Sequence, residues 1–297
     1  MKPGFRLAIL LCLLGAPCLI SPAACVHYQE REQKKKEVRV EQPAPAERPR
    51  RARGRRRGRK IRFDDAFLNS GKKRYSERKE ELIIRHFFRD RKKGFFVDIG
   101  CYHPKDFSTT YYLEKHLRWS GIGVDALPEF GPLYRKLRPR TRFFNYIVTD
   151  HSGGMETLHV AGPLSSTSPD WLDHFQDEKT AKTIRVPTIT MNDLLDRKGV
   201  KKIDFLSMDI ELGEPAALAG FDIERFRPSF ICIEASLPNR KFLSDYFEEH
   251  GYELIEKYLE HDILNWYFRP REDEEKNGTR RKKSRKREGP GRRQAAR

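Results

Sequence analysis

Runs of large apolar residues recur along the middle of the chain, and each closes on or beside a polar position: FFVDIG (95–100), GIGVDAL (121–127), RFFNYIV (142–148), IDFLSMDI (203–210) and FICIEA (230–235). Their β-branched and aromatic content predicts strands. Between them, residues 107–118, 129–138, 191–198, 214–219 and 239–250 read as helices. Strands separated by helix-length segments predict βαβ units and hence an α/β fold, a doubly wound and mostly parallel sheet covered on both faces. Near the end, YELIEKYLE and ILNWYF predict a final antiparallel strand pair. No internal repeat interrupts this order, and the insert at 161–182 is long enough for a lid or substrate loop.

In such a sheet, ligands bind beyond the carboxyl ends of the strands, so the residues that end each strand are the informative ones. The first run ends in Asp98-Ile99-Gly100, and the second reaches Asp125 27 residues after Asp98. The third runs into Thr149-Asp150, and the fourth into Asp209-Ile210-Glu211, whose carboxylates share one face at period two. Any one of these acids could simply cap the following helix, worth about 1 kcal/mol. All four together argue for a ligand. Asp125 suits ribose hydroxyls and Asp150 an adenine amino group. A dinucleotide site needs several bare glycines around a pyrophosphate, whereas here Gly100 is followed by Cys101, Tyr102, His103 and Pro104. That argues against NAD and for an adenosine ligand carrying a cation, a description that S-adenosylmethionine meets.

Charge divides the chain into parts. Residues 1–62 hold 17 Lys and Arg against 5 Asp and Glu, a net +12, and 269–297 hold 13 against 5, a net +8. The stretch between them is a slightly acidic −3 of the total +17. Residues 1–25 have a basic start, an apolar run from Leu7 to Ile20 and small residues before Cys25, the pattern of a signal peptide or an N-terminal membrane anchor. Cys25 also leaves a lipoprotein site open. Arg31, Lys34, Lys35, Lys36 and Arg39 follow the apolar run, which favours an anchor with a cytoplasmic domain over export. Residues 26–62 and 269–297 lack apolar periodicity and are expected to be disordered. They suit an anionic membrane surface better than dedicated nucleic-acid recognition, because no aromatic residues interleave with the arginines. The folded domain is thus expected over 63–268. Cysteine spacing supports neither a disulfide framework nor zinc, and Cys232 reads as a small buried hydrophobe.

The blocks FFVDIGCYHPKDFSTTYYLEKHLRWSGIGVDALPE, VPTITMNDLL and IDFLSMDIELGEPAALAGFDIERFRPSFICIEAS, in that order, resemble the FkbM family of S-adenosylmethionine-dependent methyltransferases over about half of the chain. The resemblance implies a Rossmann-like methyltransferase fold with a seven-stranded sheet, and usually an oxygen atom as methyl acceptor. It carries Asp98 and Gly100 onto the first cofactor motif, Asp125 onto the ribose-binding acid, Asp150 onto the adenine contact, and Asp209 and Glu211 onto the acidic motif beside the methyl group. Two positions depart from the family pattern. Leu212 stands where glycine usually follows the glutamate, and Cys101 replaces a common alanine. Leucine resists the positive φ that glycine permits, so the departure bears on the catalytic turn more than on cofactor binding.

Methyl transfer to a hydroxyl of a small molecule, sugar or lipid is then the expected chemistry, with Asp209, Glu211 or His103 taking the proton. Asp209 and Glu211 also have the hard oxygens for a divalent metal, although two carboxylates make a thin ligand set. Ser165, Ser166, Ser168 and Trp171 read as a polar loop rather than as acceptor contacts, and His261, Asp262, Asn265 and Trp266 as packing at a terminal strand. Asn277-Gly278-Thr279 matches a glycosylation acceptor by chance in a charged tail. The rival reading from another class is a degenerate methyltransferase fold that binds an anionic surface through its basic ends.

Overall fold

A computed structural model describes residues 61–70, 73–168 and 182–272. The expected targeting segment, nearly all of the basic linker, most of the basic tail, Trp171, Asn277 and three cysteines (Cys12, Cys18 and Cys25) lie outside the described residues. All described residues fall in the unit from Lys60 onward. Among them, no helix is long and apolar enough to cross a membrane.

The unit opens with helices α1 (Asp65–Asn69) and α2 (Glu80–Phe88), then β1 (Phe95–Ile99), α3 (Tyr111–Leu117), β2 (Ser120–Asp125), α4 (Phe130–Leu137) and β3 (Thr141–Asn145). A small second sheet follows, built from β4 (Ile147–Val148), β5 (Met155–Val160) and β6 (Lys182–Ile189). The chain then returns through α5 (Met191–Arg197), β7 (Phe205–Met208), α6 (Glu214–Ala219), α7 (Ile223–Phe226), β8 (Phe230–Glu234), α8 (Arg240–Glu249), β9 (Tyr252–Leu254) and β10 (Asn265–Pro270).

The main sheet has seven strands in the order β3-β2-β1-β7-β8-β10-β9. Its first five are parallel, and β10 runs antiparallel to both β8 and β9. The order reverses between β1 and β7, where a doubly wound sheet opens a crevice. This is the expected α/β architecture, with the antiparallel pair where the sequence puts it.

Period-two alternation builds two cores. Val97, Ile99, Ile122, Val124, Leu206, Met208, Ile231 and Ile233 face one side, against Leu194, Leu195, Leu218, Leu243 and Phe247. Phe96, Phe205, Phe230 and Tyr267 face the other, under Leu82, Ile83, Leu113, Leu117 and Trp119. On that second side the ring of Phe230 lies 5.8 Å from Phe205 and meets Phe88 edge-on at 5.7 Å, each contact worth about 0.5–1.5 kcal/mol beyond area burial.

The structure departs from the sequence expectation in three places. The run 142–148 is not one strand. It breaks at Tyr146, because β3 is an edge strand and the chain beyond it pairs Ile147 and Val148 with Thr188 and Ile189 of the other sheet. The antiparallel β5–β6 pairing, Met155 opposite Pro187 through Val160 opposite Lys182, was not anticipated. Nor was α2, although Leu82, Ile83 and Phe88 bury its inner face.

One buried cation ties the loop after β1 to the rest. Arg138 is fully buried, and its Nε donates to Glu114 Oε2 at 2.7 Å. Its Nη1 donates to the Pro104 carbonyl at 2.9 Å, and its Nη2 to Thr110 Oγ1 and Thr141 Oγ1, each at 3.1 Å. A buried charge is tolerable only with this degree of pairing. Replacing Arg138 with Met strands Glu114 and is expected to cost about 3–5 kcal/mol in urea denaturation. Arg138→Lys keeps the charge without the five-donor fork and should recover little of that loss.

Candidate active site

An open cleft lies over the carboxyl ends of β1, β2 and β7, the place where ligands bind in sheets of this kind. Its floor is set by register. Gly100 follows β1 with φ +76°, and its amide donates to the Val124 carbonyl at 2.9 Å. A Cβ on Gly100 would stand 1.9 Å from the carbonyl oxygen of Asp209, so only glycine lets the β1 turn approach the β7 turn this closely.

Asp125 ends β2 inside the cleft. Its Oδ2 accepts from the Tyr102 amide at 2.7 Å and its Oδ1 from the Leu127 amide at 2.9 Å. Burial outweighs these bonds and pushes the carboxyl up to about 6. Each oxygen still has a lone pair for a hydroxyl donor. Around it, Tyr102, Leu127, Tyr146, Ile147, Val148 and Leu158 make a largely apolar wall.

The β7 turn carries the other acids. Asp209 and Glu211 line the cleft, and Glu234, at the end of β8, joins them. Oxygens of the three carboxylates lie within 4.8 Å of one another, close enough to share a proton or a hard cation. Glu234 is the member that sequence reasoning missed, although it stands in FICIEA, because nothing local tells an acid at a strand end from a helix cap. Glu214 was also missed. It is fully buried, accepts the Ile210 amide at 3.0 Å and the Asn239 side-chain amide at 2.7 Å, and so braces the β7 turn against the segment after β8. Burial raises its carboxyl to about 7.

The turn itself is left-handed at two consecutive residues, Glu211 at φ +52° and Leu212 at φ +78°. Leu212 therefore takes the conformation that glycine would take without strain, at about 1–2 kcal/mol. Ser166 Oγ donates to the Glu211 carbonyl at 2.7 Å and pins the turn from the opposite side. Gly162, Pro163, Ser165, Ser166 and Thr167 form a strap along the cleft, so Ser165 and Ser166 do reach the site, while Ser168 donates its amide to Ser166 Oγ at 3.1 Å.

Other sequence candidates stand elsewhere. Asp98 lies one register step below the floor, buried, accepting from Thr110 Oγ1 at 2.6 Å, with burial raising it to about 6. It supports the floor and is not among the residues lining the cleft. The Asp150 side chain is 58 % exposed, bound to His151 Nδ1 at 2.8 Å and held below the usual carboxylate range by that bond; it too is not among the lining residues. His103 Nδ1 accepts the Asp106 amide at 2.9 Å and thereby closes its own loop outside the cleft. Asp262 is buried and accepts from Tyr267 Oη at 2.8 Å and Asn265 Nδ2 at 3.0 Å, which makes that cluster part of the packing.

The family model described as the methyltransferase FkbM domain matches residues 98–254, just over half of the chain. No curated protein matches it. Solved structures with partial similarity include a TehB-like SAM-dependent methyltransferase from Corynebacterium glutamicum, 14% identical over 64% of this chain and 79% of that one, with a TM-score of 0.35. A putative RNA methyltransferase from Pyrococcus horikoshii is 10% identical over 70% of this chain and 98% of its own, with a TM-score of 0.34. A SAM-dependent methyltransferase from Thiobacillus denitrificans, solved in complex with S-adenosyl-L-homocysteine, is 9% identical over 67% and 77%, with a TM-score of 0.32.

Two outcomes follow from the turn and its buried acids. Leu212→Gly removes the strain and should leave the protein at least as stable, with a gain of up to about 1 kcal/mol by chemical denaturation; a clear loss would mean that the leucine side chain holds the turn. The second outcome concerns pH. Burial raises Asp98 and Asp125 to about 6, Glu214 to about 7 and, in α2, Glu80 to about 8. Raised acids make the native state bind more protons than the unfolded chain, so their contribution is full below the ordinary carboxylate range and is lost as pH rises through these values. The urea midpoint is expected to be lower near pH 8.5 than near pH 5.5, and the opposite order would contradict the assigned burial.

Proposed function

This chain belongs to the FkbM methyltransferase family, and from that premise we propose that it moves a methyl group from S-adenosylmethionine to a hydroxyl oxygen of a small molecule, sugar or lipid. The observation that carries the reading is Asp125. A buried carboxylate fixed by two backbone amides keeps free lone pairs at the mouth of a cleft whose opposite end is acidic. That donor set fits the cofactor, with a carboxylate for the vicinal ribose hydroxyls, apolar walls for a planar base, and Asp209 and Glu211 facing positive charge.

Bound there, the cofactor supplies an electrophilic methyl carbon and leaves as its thioether. The chain does the rest. Gly100 lets the β1 turn close on the β7 turn, the strap from Gly162 to Thr167 narrows access for water, and the braced β7 turn fixes the acids relative to the acceptor. As the acceptor oxygen gains the methyl group, its hydroxyl proton passes to a carboxylate. We assign that role to Asp209, which is partly exposed within the cleft, with Glu211 beside it to hold the acceptor.

Calorimetric titration of the full-length protein with S-adenosylmethionine, S-adenosylhomocysteine and NAD tests the cofactor site without knowledge of the acceptor. Binding of the first two and not of NAD is expected, weakened at least tenfold in Asp125→Ala. With methyl-labelled cofactor and panels of sugar, lipid and polyketide hydroxyls, Asp209→Asn should lower transfer by about 100-fold or more while leaving cofactor affinity within a few-fold. If the folded protein binds neither nucleoside, the enzyme reading falls and the surface-binding one replaces it.

A further inference from the structure

The edge of the main sheet opposite the cleft has the reverse electrical character. Exposed bases precede each of its parallel strands: Arg140 before β3, Arg118 before β2, Lys92 and Lys93 before β1, Lys201 and Lys202 before β7, and Arg227 before β8. Backbone bonds fasten these approaches side by side. The Gly121 amide donates to the Arg140 carbonyl, Lys93 to Leu117, Asp204 to Phe95 and Ser229 to Ile203, at 2.9–3.3 Å. The bases therefore form one rim, ordered as the strands are. The carboxylates next to the β1 and β7 approaches are each bound to an arginine: Asp204 to Arg91 at 2.9 Å, and Asp90 to Arg85 at 2.9 Å.

Both ends of the described unit arrive at this rim. Ile61, Arg62, Phe63 and Asp64 border Arg89, just ahead of β1. At the other end, the Arg271 amide donates to the Gly251 carbonyl at 2.9 Å, while Arg227 Nη1 reaches the neighbouring His250 carbonyl at 3.1 Å. From these two points the sequence continues into its +12 and +8 segments. The described chain thus enters and leaves the folded unit beside the rim, in both cases next to strongly basic sequence.

We propose that this rim is a docking face for an anionic lipid surface, with the cleft turned away from it. Phosphate-bearing headgroups supply the negative charge that a fixed row of lysines and arginines attracts. The acidic cleft edge is repelled by the same field, so the approach is oriented as well as favoured. Lipid is preferred over nucleic acid for two reasons. The aromatic rings behind the rim, Trp119 and Phe96, are buried and offer no stacking platform. The apolar run Leu7–Ile20 supplies, in the same chain, the second signal that stable attachment to a bilayer needs beyond a basic patch.

The test is cosedimentation of the full-length protein with phosphatidylcholine vesicles, with and without phosphatidylserine. A rim variant combining Lys92→Glu, Lys201→Glu and Lys202→Glu is compared with a control combining Lys105→Glu, Lys182→Glu and Lys241→Glu, which has the same net charge at the opposite ends of the strands. The rim variant is expected to lose about tenfold or more in affinity for the anionic vesicles, the control no more than about twofold, and neither should change on phosphatidylcholine alone. Equal thermal midpoints verify folding, and a Lys→Gln version of the rim set should fall between parent and Glu variant. Equal loss in the two Glu variants, or a rim effect seen only with an RNA oligonucleotide and not with vesicles, overturns the proposal.

Discussion

The close approach of two backbone turns is the constraint on which the rest of the site depends. The β1 turn reverses at Gly100, directly against the carbonyl oxygen of Asp209, and no residue with a side chain fits that gap. Once the contact is made, the parallel register follows across the sheet. Asp98 lies opposite Gly123 and Ser207, and Asp209 follows β7 one step beyond the pair Ile99–Met208. The cofactor-side turn and the acid-bearing turn are thus positioned relative to each other by main chain alone, before any side chain acts.

What sits on that frame is costly and is held by specific partners. Two left-handed residues in succession, a set of buried carboxylates and a buried guanidinium all work against stability when taken singly. Each has a counterpart. Glu214 accepts the Ile210 amide that starts the strained turn, Ser166 holds the Glu211 carbonyl, and Arg138 gathers Glu114, Pro104, Thr110 and Thr141 around the loop that carries Tyr102 and His103. Thr110, held by Arg138, in turn donates to Asp98. The site's unfavourable groups are held through partners that they share.

Much of the fold was legible because its signals are local. Apolar runs ending at Ile99, Asp125, Met208 and Glu234 are strands in the structure, and the helices between them start within a few residues of their expected positions. The break at Tyr146 was not legible, since it depends on β3 being an edge strand, a property of topology rather than of the run itself. In the site, Gly100, Asp125, Asp209 and Glu211 come together as strand-end reasoning suggests. Asp98, Asp150 and His103 carry the same chemistry at similar positions, yet one faces inward, one faces solvent and one closes its own loop. Residue type and spacing do not encode that difference. Glu214 and Glu234 are its converse, ordinary acids in the sequence whose partners include residues more than 20 positions away.

Parallel strands also turn a one-dimensional pattern into a spatial one. In RKKGFFVDIG, KKIDFLSMDIE and RFRPSFICIEA, base, apolar run and acid follow each other in the same order. Antiparallel pairing would alternate these ends and cancel their charge along each edge. With β1, β2, β3, β7 and β8 all pointing one way, the bases gather at one edge and the acids at the other. The direction that brings the carboxylates together around the cleft therefore also creates the basic rim. A single topological choice accounts for the placement of the chemistry and for the electrical asymmetry of the domain that carries it.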